Sequence, residues 1–86
     1  MTATPELQSV IDGLVADIRN KEMLFERAEQ DRSEHRMEVC QQQMVGLKIG
    51  LGRALAAANG KTPLGDSADK VQVSAIVRAN AYLATL

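Results

Sequence analysis

Glu26 to Arg36, reading ERAEQDRSEHR, is the stretch on which the fold depends. Ten of its residues are polar or charged and only Ala28 is apolar, yet it contains no Gly, Pro or Asn to force a turn. Its composition is that of a solvated helix. The apolar residues on either side of it must therefore decide whether the chain bends here.

Upstream, Thr4-Pro5-Glu6 carries the three signals of a helix start. Thr4 is a capping hydroxyl, Pro5 occupies the first helical position, and Glu6 puts negative charge where the helix dipole favours it. Leu7, Ile11, Leu14, Ile18, Phe25 and Ala28 then recur at three-, four- and seven-residue intervals, as one buried helical face requires. Val10 and Val15 widen the stripe, and Gly13 weakens the helix by about 1 kcal/mol relative to Ala.

Downstream, Met37, Cys40, Met44, Leu47, Leu51, Leu55 and Ala58 form a second stripe that runs to the Asn59-Gly60 capping pair. Ala28 and Met37 are nine residues apart, so at about 100° per residue they fall on opposite sides of a straight helix. The two stripes cannot face one groove without a break. Either the chain turns near Asp31 to Glu34, with Asp31 as cap and Glu34 as the other half of a capping box, or one continuous helix offers its halves to different partners. A continuous helix from Pro5 to Asn59 would be about 80 Å long, whereas a compact chain of this length has a radius of gyration of about 12 Å. That alternative requires another chain.

Lys61 to Gly65, KTPLG, is the linker, since Pro63 and Gly65 both interrupt regular structure. Asp66 or Ser67 caps a last helix whose buried side comprises Ala68, Val71, Ala75, Ile76, Ala79, Tyr82, Leu83 and Leu86. Lys70 to Ser74 also alternates as a strand would, but a lone strand has nothing to pair with. The expectation is an all-α single domain over residues 1–86. It comprises a long helix or helical hairpin over about 5–59 and a C-terminal helix over about 67–85, arranged as a three-helix bundle or an intertwined oligomer.

Composition narrows the function classes. The chain has 86 residues, 45% of them hydrophobic, a net charge of −1, one Phe, one Tyr, no Trp and a single cysteine. It is apolar enough to fold, but so small a core is marginal alone. With Cys40 the only cysteine, no disulfide framework exists within the chain, and a cytoplasmic location is expected. No signal peptide is expected, and no run of apolar residues is long enough to span a membrane.

No pattern of catalytic chemistry emerges. His35 has Asp31, Glu34 and Glu38 within a turn, but a Glu-x-x-His element would need a carboxylate where Arg32 stands, and no Cys-x-x-Cys or His-x-x-x-His supports zinc. Cys40 sits at a core position between Met37 and Met44, which suits a structural thiol better than a nucleophile. Gly46, Gly50 and Gly52 lack the Lys-Ser/Thr ending and the preceding strand of a phosphate-binding loop. The expectation is no catalytic, cofactor or metal site.

The most specific local feature is the strip Gly46, Gly50, Ala54 and Ala58, small residues every fourth position that let another backbone approach closely. With the bulkier Leu14, Ile18, Phe25, Met37, Met44, Leu47 and Leu51, it points to helix-helix interfaces within or between chains. The expected function is association with itself, as a dimer or higher homo-oligomer, and with a protein partner as regulator, adaptor or inhibitor. A second expectation is a nucleotide or other small anion held by Arg27, Arg32 or Arg36, whose guanidinium groups suit phosphate. Nucleic-acid binding ranks below both. The arginines are interleaved with acids, and the last helix, carrying Lys70, Gln72, Ser74, Arg78 and Asn80, follows too long a turn for a standard helix-turn-helix.

Overall fold

A computed structural model describes residues 4–58 and 68–86, and it contains three helices: α1 over Pro5–Gln30, α2 over Glu34–Ala58 and α3 over Ala68–Leu83. The described residues contain no strand, so Lys70 to Ser74 is helical despite its alternation. The expected linker 61–65, the Asn59-Gly60 cap and the Asp66 or Ser67 cap lie outside the described residues.

α1 starts as its sequence requires. Thr4 is its extended N-cap, the Thr4 Oγ1 accepts from the Leu7 amide at 3.2 Å, and Pro5 follows at the first helical position. The chain then turns at residues 31–33, which excludes the continuous helix for this chain. The Ser33 amide donates to the Ala28 carbonyl at 2.9 Å and the Arg32 amide to the Glu29 carbonyl at 3.0 Å. Arg32 sits at φ 54°. This bond pair around a left-handed residue is the Schellman ending, in which glycine is the usual occupant. Asp31 is the C-cap of α1 and not, as its composition suggested, the N-cap of α2. That role falls to Ser33, whose Oγ accepts from the Arg36 amide at 3.4 Å, so Arg36 stands where a capping-box Glu would. Asp31 acts across the turn instead, accepting from Arg36 Nη2 at 2.7 Å.

The core joins all three helices. Ile11 and Ile18 of α1, Leu51 and Leu55 of α2, and Ala79 and Leu83 of α3 are buried together, with Leu7, Leu14, Val15, Leu47 and Tyr82 packed around them. Ile11, Ile18 and Leu51 are almost wholly enclosed, each contributing about 2 kcal/mol through removal of apolar surface from water. The opposed stripes are thus reconciled, because the turn rotates the second one back to face the first.

α2 is the central helix. On one side it meets α1, where the nearest neighbour of Gly50 is the Leu14 side chain. On the other it meets α3 at closer range, since a Cβ on Gly52 would overlap the backbone of Ala75. Gly52, Ala56, Ala75 and Ala79 are all buried, so the two backbones approach without large side chains between them. Arg19 Nη2 donates to the Leu83 carbonyl at 3.1 Å, which places the end of α3 beside the middle of α1. α3 therefore runs antiparallel to α2 and stops level with Arg19, while α1 and α2 continue past it as a two-helix hairpin. The radius of gyration, 14.1 Å, exceeds the expectation of about 12 Å for a compact chain of this length because of that projecting tip.

Candidate functional site

Two faces of α2 have different fates. Gly50 and Gly52 are two residues apart and point about 160° away from each other. Gly52 is sealed by α3, whereas Gly46, one turn before Gly50, has nothing within 4 Å of a Cβ position. The tightest approach at a glycine is therefore at Gly52, whereas in the Gly46-Gly50-Ala54-Ala58 strip Gly46 is open and Gly50 meets only the Leu14 side chain. Gly13 on α1 is equally open. It lies eleven residues, or about 20° of helical rotation, from Leu24, which is 40% exposed, and Val10 nearby is exposed as well. On α2, Val39 and Gly46 are seven residues apart and share this same side. The hairpin thus presents a second face, away from α3, marked by open glycines and exposed apolar side chains.

At the tip this face deepens into an open groove of about 650 Å³ between α1 and α2. Leu24, Val39 and Cys40 supply its apolar lining, with Cys40 buried and Val39 half-buried. Arg27 and Asp31 border it from α1, His35 and Arg36 from α2, all four exposed. Cys40 and His35, five residues apart, reach the same groove, but the thiol lies in its buried lining and the imidazole at its edge. Among the described residues no group of three or more His, Cys, Asp or Glu side chains is placed to hold a metal ion.

The sequence-derived residues divide accordingly. Ile18 and Leu51 are enclosed within the chain, and Leu14, Phe25, Met37, Met44, Leu47, Gly50 and Ala54 are half-buried along the helix seams. Only Gly46 of that set is exposed. Of the three arginines proposed for an anion, Arg27 and Arg36 line the groove, Arg36 already paired with Asp31, while Arg32 is held in the turn and does not line it. Leu24 and Val39 were not singled out from sequence. They lie off both main stripes, and what identifies them is their position at a depression that exists only once the hairpin closes.

The outer face of α3 holds a shallower depression bordered by Val73, Ser74, Val77, Arg78 and Ala81. Val73 and Val77 are each 62% exposed, so the surface that would have to read nucleic acid is substantially apolar. Among the described residues no helix is long and apolar enough to cross a membrane. No family model, curated protein or solved structure matches the chain.

Proposed function

We propose that the protein is a non-enzymatic helical association module, which pairs with a second copy and binds a protein partner through the hairpin face turned away from α3. The observation that carries this reading is the contrast between the two faces of α2. Where α3 packs, Gly52 is filled to the limit of contact. On the other side Gly46 and, on α1, Gly13 stand open on a face that also carries exposed Val10 and Leu24. Glycine in a helix interior costs about 1 kcal/mol relative to Ala, so two open glycines on one face are a stability loss that packing within the chain does not offset. A helix arriving from another chain would use the space they leave.

Static light scattering tests the self-association half. The wild-type chain should form a dimer or higher oligomer at micromolar concentration, and Gly46→Glu should return it to monomer with its helical circular dichroism intact. A Cβ at this site meets no neighbour within 4 Å, and Glu has better helix propensity than Gly. A wild-type monomer at about 100 µM, or an oligomer indifferent to Gly46→Glu, would reject the assignment of this face to self-association.

A second reading, a small anionic or nucleotide ligand, draws on Arg27 and Arg36 standing at one groove. Thermal melting with a nucleotide panel separates it from the first, because a ligand at about 100 times its Kd adds about 2.7 kcal/mol of stability.

A further inference from the structure

We propose that the tip groove is the docking site for one amphipathic helix of a protein partner, whose apolar stripe lies on Leu24 and Val39 and whose acidic flank faces Arg27. This rests on the association reading above and specifies the partner at one end of the same face.

Three observations lead to a helix of this charge. The depression runs between two antiparallel helices, and a third helix laid into such a seam is a standard way of filling it. From Leu24 to Asp31 it extends about 10 Å along α1, two helical turns, which matches anchors spaced i, i+3 or i+4, and i+7. Its charge is opposite in sign to that of the whole chain. Arg27 and Arg36 against Asp31 leave one formal positive charge in the groove with His35 neutral, whereas the chain carries −1. Among the described residues the Arg27 side chain has no hydrogen-bond or ion-pair partner, in contrast to Arg19 and Arg36. A cation beside exposed Leu24 is the arrangement that reads an acidic residue flanking an apolar stripe.

The test uses the full chain and labelled helical peptides of about 14 residues. One carries a leucine stripe flanked by Glu, one the same stripe flanked by Lys, and one the first composition scrambled. Fluorescence polarisation should show the Glu-flanked peptide binding at least about tenfold more tightly than the other two. Arg27→Glu should reverse the preference between the Glu- and Lys-flanked peptides, and Arg27→Gln should abolish it. Arg78→Gln, on the outer face of α3, should leave peptide affinity within about twofold, because Arg78 lies outside the groove. Equal affinity for Glu- and Lys-flanked peptides, no binding by any peptide at about 1 mM, or unchanged preference in Arg27→Glu would overturn the proposal. Amide protection at Leu24 and Val39 that grows with protein concentration and not with peptide would assign the groove to a second copy and overturn it too. Loss of self-association in light scattering, with the peptide result intact, would remove only the self-association half of the earlier reading.

Discussion

At the scale of single residues, Arg32 is where local conformational preference and fold disagree. The turn needs a left-handed residue after α1, and an arginine at φ 54° supplies it at a cost of about 1–2 kcal/mol that glycine would avoid. Arg32→Gly should therefore stabilise the protein by about 0.5–1 kcal/mol, the part of that cost not consumed by the larger backbone freedom of glycine in the unfolded chain. Differential scanning calorimetry should show this as a Tm rise of about 2–8 °C, and a fall in Tm would mean that the Arg32 side chain contributes contacts of greater value. This position also shows why the turn was legible only as an alternative. Ser33 has the right chemistry for a cap, but so has Asp31, and nothing in the string DRSE distinguishes the end of one helix from the start of the next until the Ala28 and Glu29 carbonyls are placed.

At the scale of elements, glycines in one helix carry opposite meanings. Gly13→Ala and Gly46→Ala should each raise stability by up to about 1 kcal/mol, because both sites are open and only helix propensity changes. Gly52→Ala should lower it by about 2 kcal/mol, since the added methyl would collide with the backbone of Ala75 and α2 and α3 would have to separate. Urea titration of the three variants checks the sign at each site, and three shifts of like sign would contradict this account of how α3 packs. Arg19 is the other element-level device. One nitrogen of its guanidinium pairs with Glu22 at 3.1 Å and the other donates to the Leu83 carbonyl at 3.1 Å, joining α1 to the last turn of α3. Arg19→Ala should cost about 1 kcal/mol and speed hydrogen exchange at the C-terminal end of α3 more than in α1, because it leaves the Leu83 carbonyl with the longer 3.3 Å bond from the Leu86 amide. The Arg19 to Glu22 spacing is readable in sequence as a surface pair; that the same side chain reaches α3 is not, since it depends on a contact between residues 64 apart.

At the scale of the whole molecule, the mismatch in helix lengths governs the shape. α1 and α2 are 26 and 25 residues long and α3 only 16, so the third helix covers one end of the hairpin and leaves the other as two helices. The molecule is correspondingly flat, 43 × 30 × 19 Å, its least dimension about that of two packed helices. If the free face pairs two copies, small-angle scattering on the wild type should give a radius of gyration well above 14.1 Å and Gly46→Glu should return it close to that value. The marginal core expected of so short a chain thus acquires a location. Ile11, Ile18, Leu51 and their neighbours are closed over by α3, and the uncovered surface lies on the hairpin face opposite it and at the tip beyond its end.

The helical class, the start of α1 at Thr4-Pro5 and the two apolar stripes follow from the sequence alone, because capping chemistry and a 3.6-residue period act over distances of a few residues. The need for a break between Ala28 and Met37 was also written there, in the angle between them. Tertiary structure decided which break it is, which glycine serves close packing, and where Arg27, Arg36, Leu24 and Val39 meet. Those outcomes depend on backbone atoms distant in sequence coming within van der Waals reach, and periodicity along a single chain carries no record of which helix arrives on which side.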